Sequence, residues 1–180
     1  MIPHEQFYKK YRKPQPGRTL IVGSHVYPGR EDRRKLYSAA VGVDMLEGPG
    51  VDFELDIEDR AATESFLSFA TGGFHHVECR SVLEHSKRPW LLAQNLETLM
   101  TPGATLDLSV PFVWRTHAYP SDYWRFTTEA IREIFPRVEW KALAYATQDV
   151  LATKGKLPAF SPGGKVYLPR CEVLGWGVRK

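Results

Sequence analysis

A chain of 180 residues, 43% apolar and 12% aromatic, is long enough to bury one substantial core, and a single domain over 1–180 is expected. Its 24 Lys and Arg against 21 Asp and Glu leave a formal charge of only +3, too small to identify an acidic partner; a small molecule is favoured over nucleic acid, which stays open as the alternative. The first residues lack the apolar run of a secretory signal and no later stretch reaches the length of a membrane span; no membrane association is expected, and a cytoplasmic location is.

The chain opens with a helical extension over 1–17. A basic cluster of Lys9, Lys10, Arg12 and Lys13 forms its solvated face, and Phe7 and Tyr11 lie on the inner side. Thr19-Leu20-Ile21-Val22 is short, β-branched and apolar throughout, as a strand buried on both faces should be. It ends at Gly23, and 30–36 follows as a charged helix of about two turns. Strands are expected over 39–44 and 51–55, separated by Gly48-Pro49-Gly50.

Over 58–70, Ala62, Phe66, Phe69 and Ala70 recur at helical spacing before Gly72-Gly73. A strand over 74–79 comes next, then a helix opened by Pro89 with Leu92, Leu96, Leu99 and Met100 on one face. The strand over 104–110 is expected to break at Pro111. A long aromatic loop leads to a helix over 128–135, and two late strands, 138–146 and 172–178, can pair antiparallel. Between those two the Gly- and Pro-rich segment 154–165 is expected to be mobile, a lid or an interface.

The alternation of strands and helices implies an α/β, Rossmann-like, doubly wound and mostly parallel sheet, in which ligands bind at the carboxyl ends of the strands where the strand order reverses. After the first core strand stands Gly23-Ser24-His25-Val26-Tyr27-Pro28-Gly29, where a glycine lets a ligand approach the backbone. Asp44, about 20 residues on at the end of the next strand, is placed to accept hydrogen bonds from ribose hydroxyls; helix capping or a solvated turn is the plainer alternative. Asp56 can accept from an adenine amino group while Ile57 covers the ring, or it can open the following helix with Glu58 and Asp59. The cysteines, Cys79 and Cys171, match no metal-ligand or redox spacing; buried thiols and no metal site are expected.

Phe74-His75-His76-Val77-Glu78-Cys79-Arg80-Ser81-Val82-Leu83-Glu84-His85 resembles the fourth-strand region of small class I S-adenosylmethionine-dependent methyltransferases, which commonly end in V-L-E-H. Leu99-Met100-Thr101-Pro102-Gly103-Ala104 and Leu108-Ser109-Val110-Pro111-Phe112 are similar to the next helix end and fifth strand of that family. Tyr119-Pro120-Ser121-Asp122-Tyr123-Trp124-Arg125-Phe126-Thr127 is similar to a signature of one subgroup. The resemblance covers roughly 19–135 and implies a seven-stranded sheet with an antiparallel last strand and S-adenosylmethionine as cofactor. It places Gly23 and Ser24 by the methionine part, Asp44 and Met45 by the ribose, Asp56 and Ile57 by the adenine, and Cys79 and Arg80 on the sulfonium side. The chain departs from the pattern at Ile21 and His75, where the family usually has acids, and at His25 and Tyr27, where it usually has glycines.

Methyl transfer is an in-line displacement that needs alignment, a dry site and, for an oxygen or protonated nitrogen acceptor, a base. His85 and His117 are the candidate bases. Arg115, Tyr119, Asp122, Tyr123 and Arg125 are the candidate acceptor-binding residues, with a small molecule as the expected acceptor; Asp122 and Arg125, three apart, can equally pair with each other. Two alternatives stay open. A non-catalytic interaction module would keep the fold, and an NAD-dependent oxidoreductase would also use Gly23 and Asp44 but lacks the further glycines of a dinucleotide loop.

Overall fold

The computed structural model describes residues 1–11, 15–117, 120–147 and 170–180. Among these residues eight strands form one sheet: β1 (Ile2–Pro3), β2 (Thr19–Val22), β3 (Ala40–Asp44), β4 (Phe53–Glu54), β5 (Phe74–Arg80), β6 (Met100–Val113), β7 (Val138–Thr147) and β8 (Cys171–Arg179). Their order is β1-β7-β8-β6-β5-β2-β3-β4, parallel except that β8 runs antiparallel to both β6 and β7. The expected seven strands and late antiparallel pair are present, and Ile2–Pro3 adds an eighth at the edge against Ala146 and Thr147.

The strand order reverses between β2 and β5. From there the chain runs outward to β3 and β4 on one side and to β6, β8 and β7 on the other, so the ligand crevice of a doubly wound sheet belongs at the carboxyl ends of β2 and β5.

Pleating sorts the side chains into two faces. Leu20, Val77 and Leu106 are in register across β2, β5 and β6, as are Val22, Cys79 and Leu108. All six turn into the main core, with Phe66 of α2 (Arg60–Phe69), Leu92, Leu96 and Leu99 of α3 (Pro89–Leu99), and Ile131 of α4 (Thr128–Ile134). Three helices thus cover this face.

The other face carries α1 (His4–Tyr11), where Phe7, 2% exposed, packs on Ala146, Leu174 and Trp176. Burying that ring contributes about 2–3 kcal/mol toward holding the N-terminal segment on the sheet. Ile21, Glu78, Asp107 and Trp176 lie in register beneath. The buried carboxylates there are paired: Arg33 reaches Glu78 at 2.6 Å, Tyr37 donates to Glu78 at 2.7 Å, and Arg80 bonds Asp107 while its guanidinium stacks 5.0 Å from the Tyr8 ring.

Three expected elements differ. The helix over 30–36 is a single 3-10 turn, Arg33–Leu36, capped by the Asp32 carboxylate on Arg34 N. Leu36, its one large apolar residue, is exposed, so a longer helix would have no face to bury. The strand expected over 51–55 shrinks to Phe53–Glu54 at the sheet edge. Strand β6 does not stop at Pro111: it runs on to Val113 through a register shift against β8, which accommodates a residue without an N–H, and the Pro111 carbonyl takes Phe126 N at 3.0 Å. The segment 154–165 lies outside the described residues.

Candidate active site

Gly23 closes β2 at φ +67°, a left-handed conformation that glycine adopts without strain. A Cβ there would stand 2.6 Å from Val82 Cγ2, so the loops after β2 and β5 touch at the reversal point. Gly23 N and Ser24 N donate to the Val43 carbonyl at 3.0 and 3.1 Å, His25 N to Asp44 Oδ2 at 3.1 Å, and Val26 N to the Pro49 carbonyl at 2.7 Å. Four successive amides therefore tie the first loop to the second, and Gly23 and Asp44 share one edge of the sheet. The His25 ring takes up the space over Gly48, where a Cβ would come within 2.4 Å of it, and packs against Tyr27 at 4.8 Å between centroids.

Asp44 is half-buried at the end of β3, with Leu46 N on its Oδ1 at 3.1 Å. Its backbone carbonyl accepts Leu55 N at 2.8 Å, which brings the loop carrying Asp56 alongside. Asp56 is exposed and takes Glu58 N at 2.9 Å. Met45 is exposed, whereas Ile57 turns into the core at 3% exposure. Cys79 is likewise fully buried, and burial pushes its thiol far above the usual range. Arg80 belongs to the opposite pleat, on Asp107 and Glu78.

The loops after β5 and β6 build the second half of the site. Past Ser81, held at φ +52° with its N–H on the Ser109 carbonyl at 2.9 Å, the chain makes a 3-10 turn, Leu83–His85. Phe126, 4% exposed in the main core, anchors the long aromatic loop. That loop is locked onto the turn by Tyr123 N on the Glu84 carbonyl at 2.8 Å and by Trp124 Nε1 on the Ser86 carbonyl at 2.9 Å. The rings of His85 and His117 consequently meet edge to face with centroids 4.9 Å apart.

Asp122 organises this cluster. Its carboxylate takes Arg125 at 2.5 and 2.8 Å, His117 N at 2.8 Å and His117 Nδ1 at 3.0 Å. The Arg125 hydrogen bonds hold its carboxyl well below the usual carboxylate range. The pairing of Asp122 with Arg125 is thus observed, and both act on the loop: Arg125 also bonds the carbonyls of Trp114 and Arg115. His85 Nδ1 meets the Ser121 carbonyl at 2.6 Å, and burial lowers the His85 pKa against the pull of that carbonyl.

Arg115 and Tyr123 point outward as exposed side chains; Tyr119 lies outside the described residues. Glu84 is the residue that sequence reasoning passed over. It is 1% exposed, and burial pushes its carboxyl up to about 8. Its signals were its place in the V-L-E-H ending and an acid directly after the apolar pair Val82-Leu83. A cavity of about 310 Å³ between β4 and α2, lined by Phe53, Phe66 and Phe69 among others, includes none of the predicted site residues.

Residues that could hold the adenosyl end of S-adenosylmethionine lie on this edge. Asp44 and Asp56 stand on adjacent loops, and each Asp44 oxygen, taking one backbone N–H, retains a lone pair for a ribose hydroxyl. Ser24 Oγ and His25 Nδ1 are buried without a hydrogen-bond partner among the described residues, the first facing Gly42 and the second Gly48. The methionine end fits less well, because the amides of 23–26 are already spent within the protein.

No family model and no curated protein matches this sequence. Solved structures do. A methyltransferase-like protein from Bacillus halodurans superposes with a TM-score of 0.67 at 14% identity, over 98% of this chain and 97% of its own. A SAM-dependent methyltransferase from Anabaena variabilis gives 0.65 at 12%, over 98% and 82%. The 1,6-didemethyltoxoflavin-N1-methyltransferase of Burkholderia thailandensis, solved with its substrate and S-adenosylhomocysteine, gives 0.61 at 13%, over 92% and 72%. At such identities the likeness speaks for architecture, and the chain has the fold of the class I S-adenosylmethionine-dependent methyltransferases.

Proposed function

We propose that this chain is a methyltransferase that takes the methyl group of S-adenosylmethionine and passes it to a small-molecule acceptor. The observation that carries the reading is the placement of Gly23, Asp44, His85 and His117 at one sheet edge, on the loops after β2, β3, β5 and β6. Bound there, the cofactor would supply an electrophilic methyl on a sulfonium.

The chain's own residues supply the rest. Asp44 holds ribose hydroxyls and Asp56 the adenine amino group, fixing the adenosyl end. His85 and His117 face the acceptor side, where an imidazole nitrogen can take the proton an acceptor loses. The Asp122–Arg125 pair holds His117 in place, and Trp124, tied to the Ser86 carbonyl, borders the approach. The toxoflavin-precursor enzyme among the structural neighbours acts on a small molecule, which supports that acceptor class.

Calorimetric titration with S-adenosylhomocysteine tests the reading. One saturable site is expected, weakened at least tenfold in Asp44→Ala; a folded protein that takes up none would overturn it.

The internally paired amides of 23–26 favour one second reading, an interaction module that keeps the fold without binding cofactor. The same titration separates the two.

A further inference from the structure

We propose that Glu84, His85 and His117 form a binding site for one first-row divalent transition ion, held by a glutamate oxygen and the Nε2 atoms of two histidines. Their ligand atoms already lie within 4.8 Å of one another, and His85 Nε2 is 3.9 Å from Glu84 Oε1. Donor atoms on a tetrahedral ion stand about 3.3 Å apart, so rotations of the side chains by roughly an ångström complete the set.

Tautomers make the case specific. His85 Nδ1 faces the Ser121 carbonyl at 2.6 Å, and a carbonyl only accepts, so Nδ1 carries the proton and Nε2 the lone pair. His117 Nδ1 lies between two acceptors, Asp122 Oδ2 at 3.0 Å and the Arg115 carbonyl at 3.4 Å, with the same consequence. Metal-bound histidines characteristically turn their second N–H toward a carbonyl or a carboxylate; here His85 meets a carbonyl and His117 stands between a carboxylate and a carbonyl.

The independent observation is Glu84. Its carboxylate is 1% exposed, and Oε2 has no hydrogen-bond partner among the described residues. Arg125, the nearby guanidinium, already makes two bonds to Asp122. A buried carboxyl with one oxygen left unpartnered is costly, and a cation bound by Glu84 and the two imidazoles would offset that cost.

Two imidazoles and one carboxylate select zinc, iron(II) or a neighbouring ion over magnesium or calcium, and they leave coordination positions open for an acceptor oxygen or nitrogen. The site is defined by the ion alone and can be tested without the cofactor. When it is filled both Nε2 lone pairs are in use, so neither histidine then serves as the base and the ion would polarise the acceptor in its place.

Titration of tag-free, chelator-treated protein with cobalt(II), followed by proton NMR, tests the site. One equivalent should bind and produce two exchangeable, strongly shifted imidazole N–H resonances, one from each Nδ1–H, which zinc(II) then abolishes. His117→Ala and His85→Ala should each remove one resonance and weaken uptake at least tenfold. Asp122→Asn should weaken it by roughly ten- to a hundredfold through His117. His75→Ala, at the exposed start of β5 and at the opposite end of the strand from the cluster, should change nothing. Glu84→Gln should weaken uptake similarly; if it does not fold, the histidine variants decide. No shifted resonance in the wild type, or unchanged uptake in His117→Ala, would overturn the proposal. Ion uptake in a protein that ignores S-adenosylhomocysteine removes only the methyl-transfer reading, and the reverse result removes only the ion site.

Discussion

Asp122 and Arg125, three residues apart in one loop, form a two-pronged ion pair at 2.5 and 2.8 Å whose carboxylate also carries both His117 contacts. The Asp122 side chain is 1% exposed and that of Arg125 28%. The pair therefore works as a clamp on the loop that brings His117 to His85.

Removing one partner of such a pair leaves the other without its counter-charge. Asp122→Ala is expected to cost about 3 kcal/mol, at the low end for a buried pair because Arg125 keeps contact with water. Urea unfolding of wild type and variant measures it, and a loss under about 1 kcal/mol would mean that the loop is held mainly by Phe126 and Trp124.

Gly23 carries two separate constraints, φ +67° and the approach of Val82. Gly23→Ala is expected to destabilise by about 1–2 kcal/mol from the left-handed backbone alone, plus the clash. Val82→Ala opens the space but not the dihedral, so the double variant should recover only part of the loss. A double-mutant cycle reads the coupling; full additivity would show that Val82 can step aside.

Glu97 on α3 is 1% exposed and accepts Arg137 N at 2.8 Å, and burial raises its carboxyl above the ordinary value of 4.5. A carboxyl raised on folding binds its proton more tightly in the native state, so its contribution is complete below about pH 4.5 and is lost as pH rises through the native value. Glu97→Gln should therefore gain on the wild type between pH 4.5 and 7. Urea midpoints of both proteins at the two ends measure this, and a difference that does not change with pH would contradict the assignment.

Much of this fold was legible because apolar runs such as Thr19–Val22 and the period of Leu92, Leu96 and Leu99 bury where the pattern says they should. The 3-10 turn at Arg33–Leu36 was not, because its charged residues suit a helix locally and only the lack of a buried face argues otherwise. Pro111 misled for a related reason: the break it suggests is absorbed by a register shift that only the pairing with β8 reveals. At the site, sequence reasoning brought Gly23 and Asp44 to one edge and chose both histidines. It could not see that the amides after Gly23 bond inward, nor that Glu84 is buried beside His85, since both depend on how separate loops pack.

The most direct measurement of the central claim is a crystal structure of the protein with S-adenosylhomocysteine. The ribose hydroxyls should lie on the Asp44 carboxylate, the adenine beside Asp56 and the sulfur toward His85 and His117. A ligand bound elsewhere, or crystals grown in saturating ligand that keep His25 and Tyr27 folded over an empty edge, would contradict it.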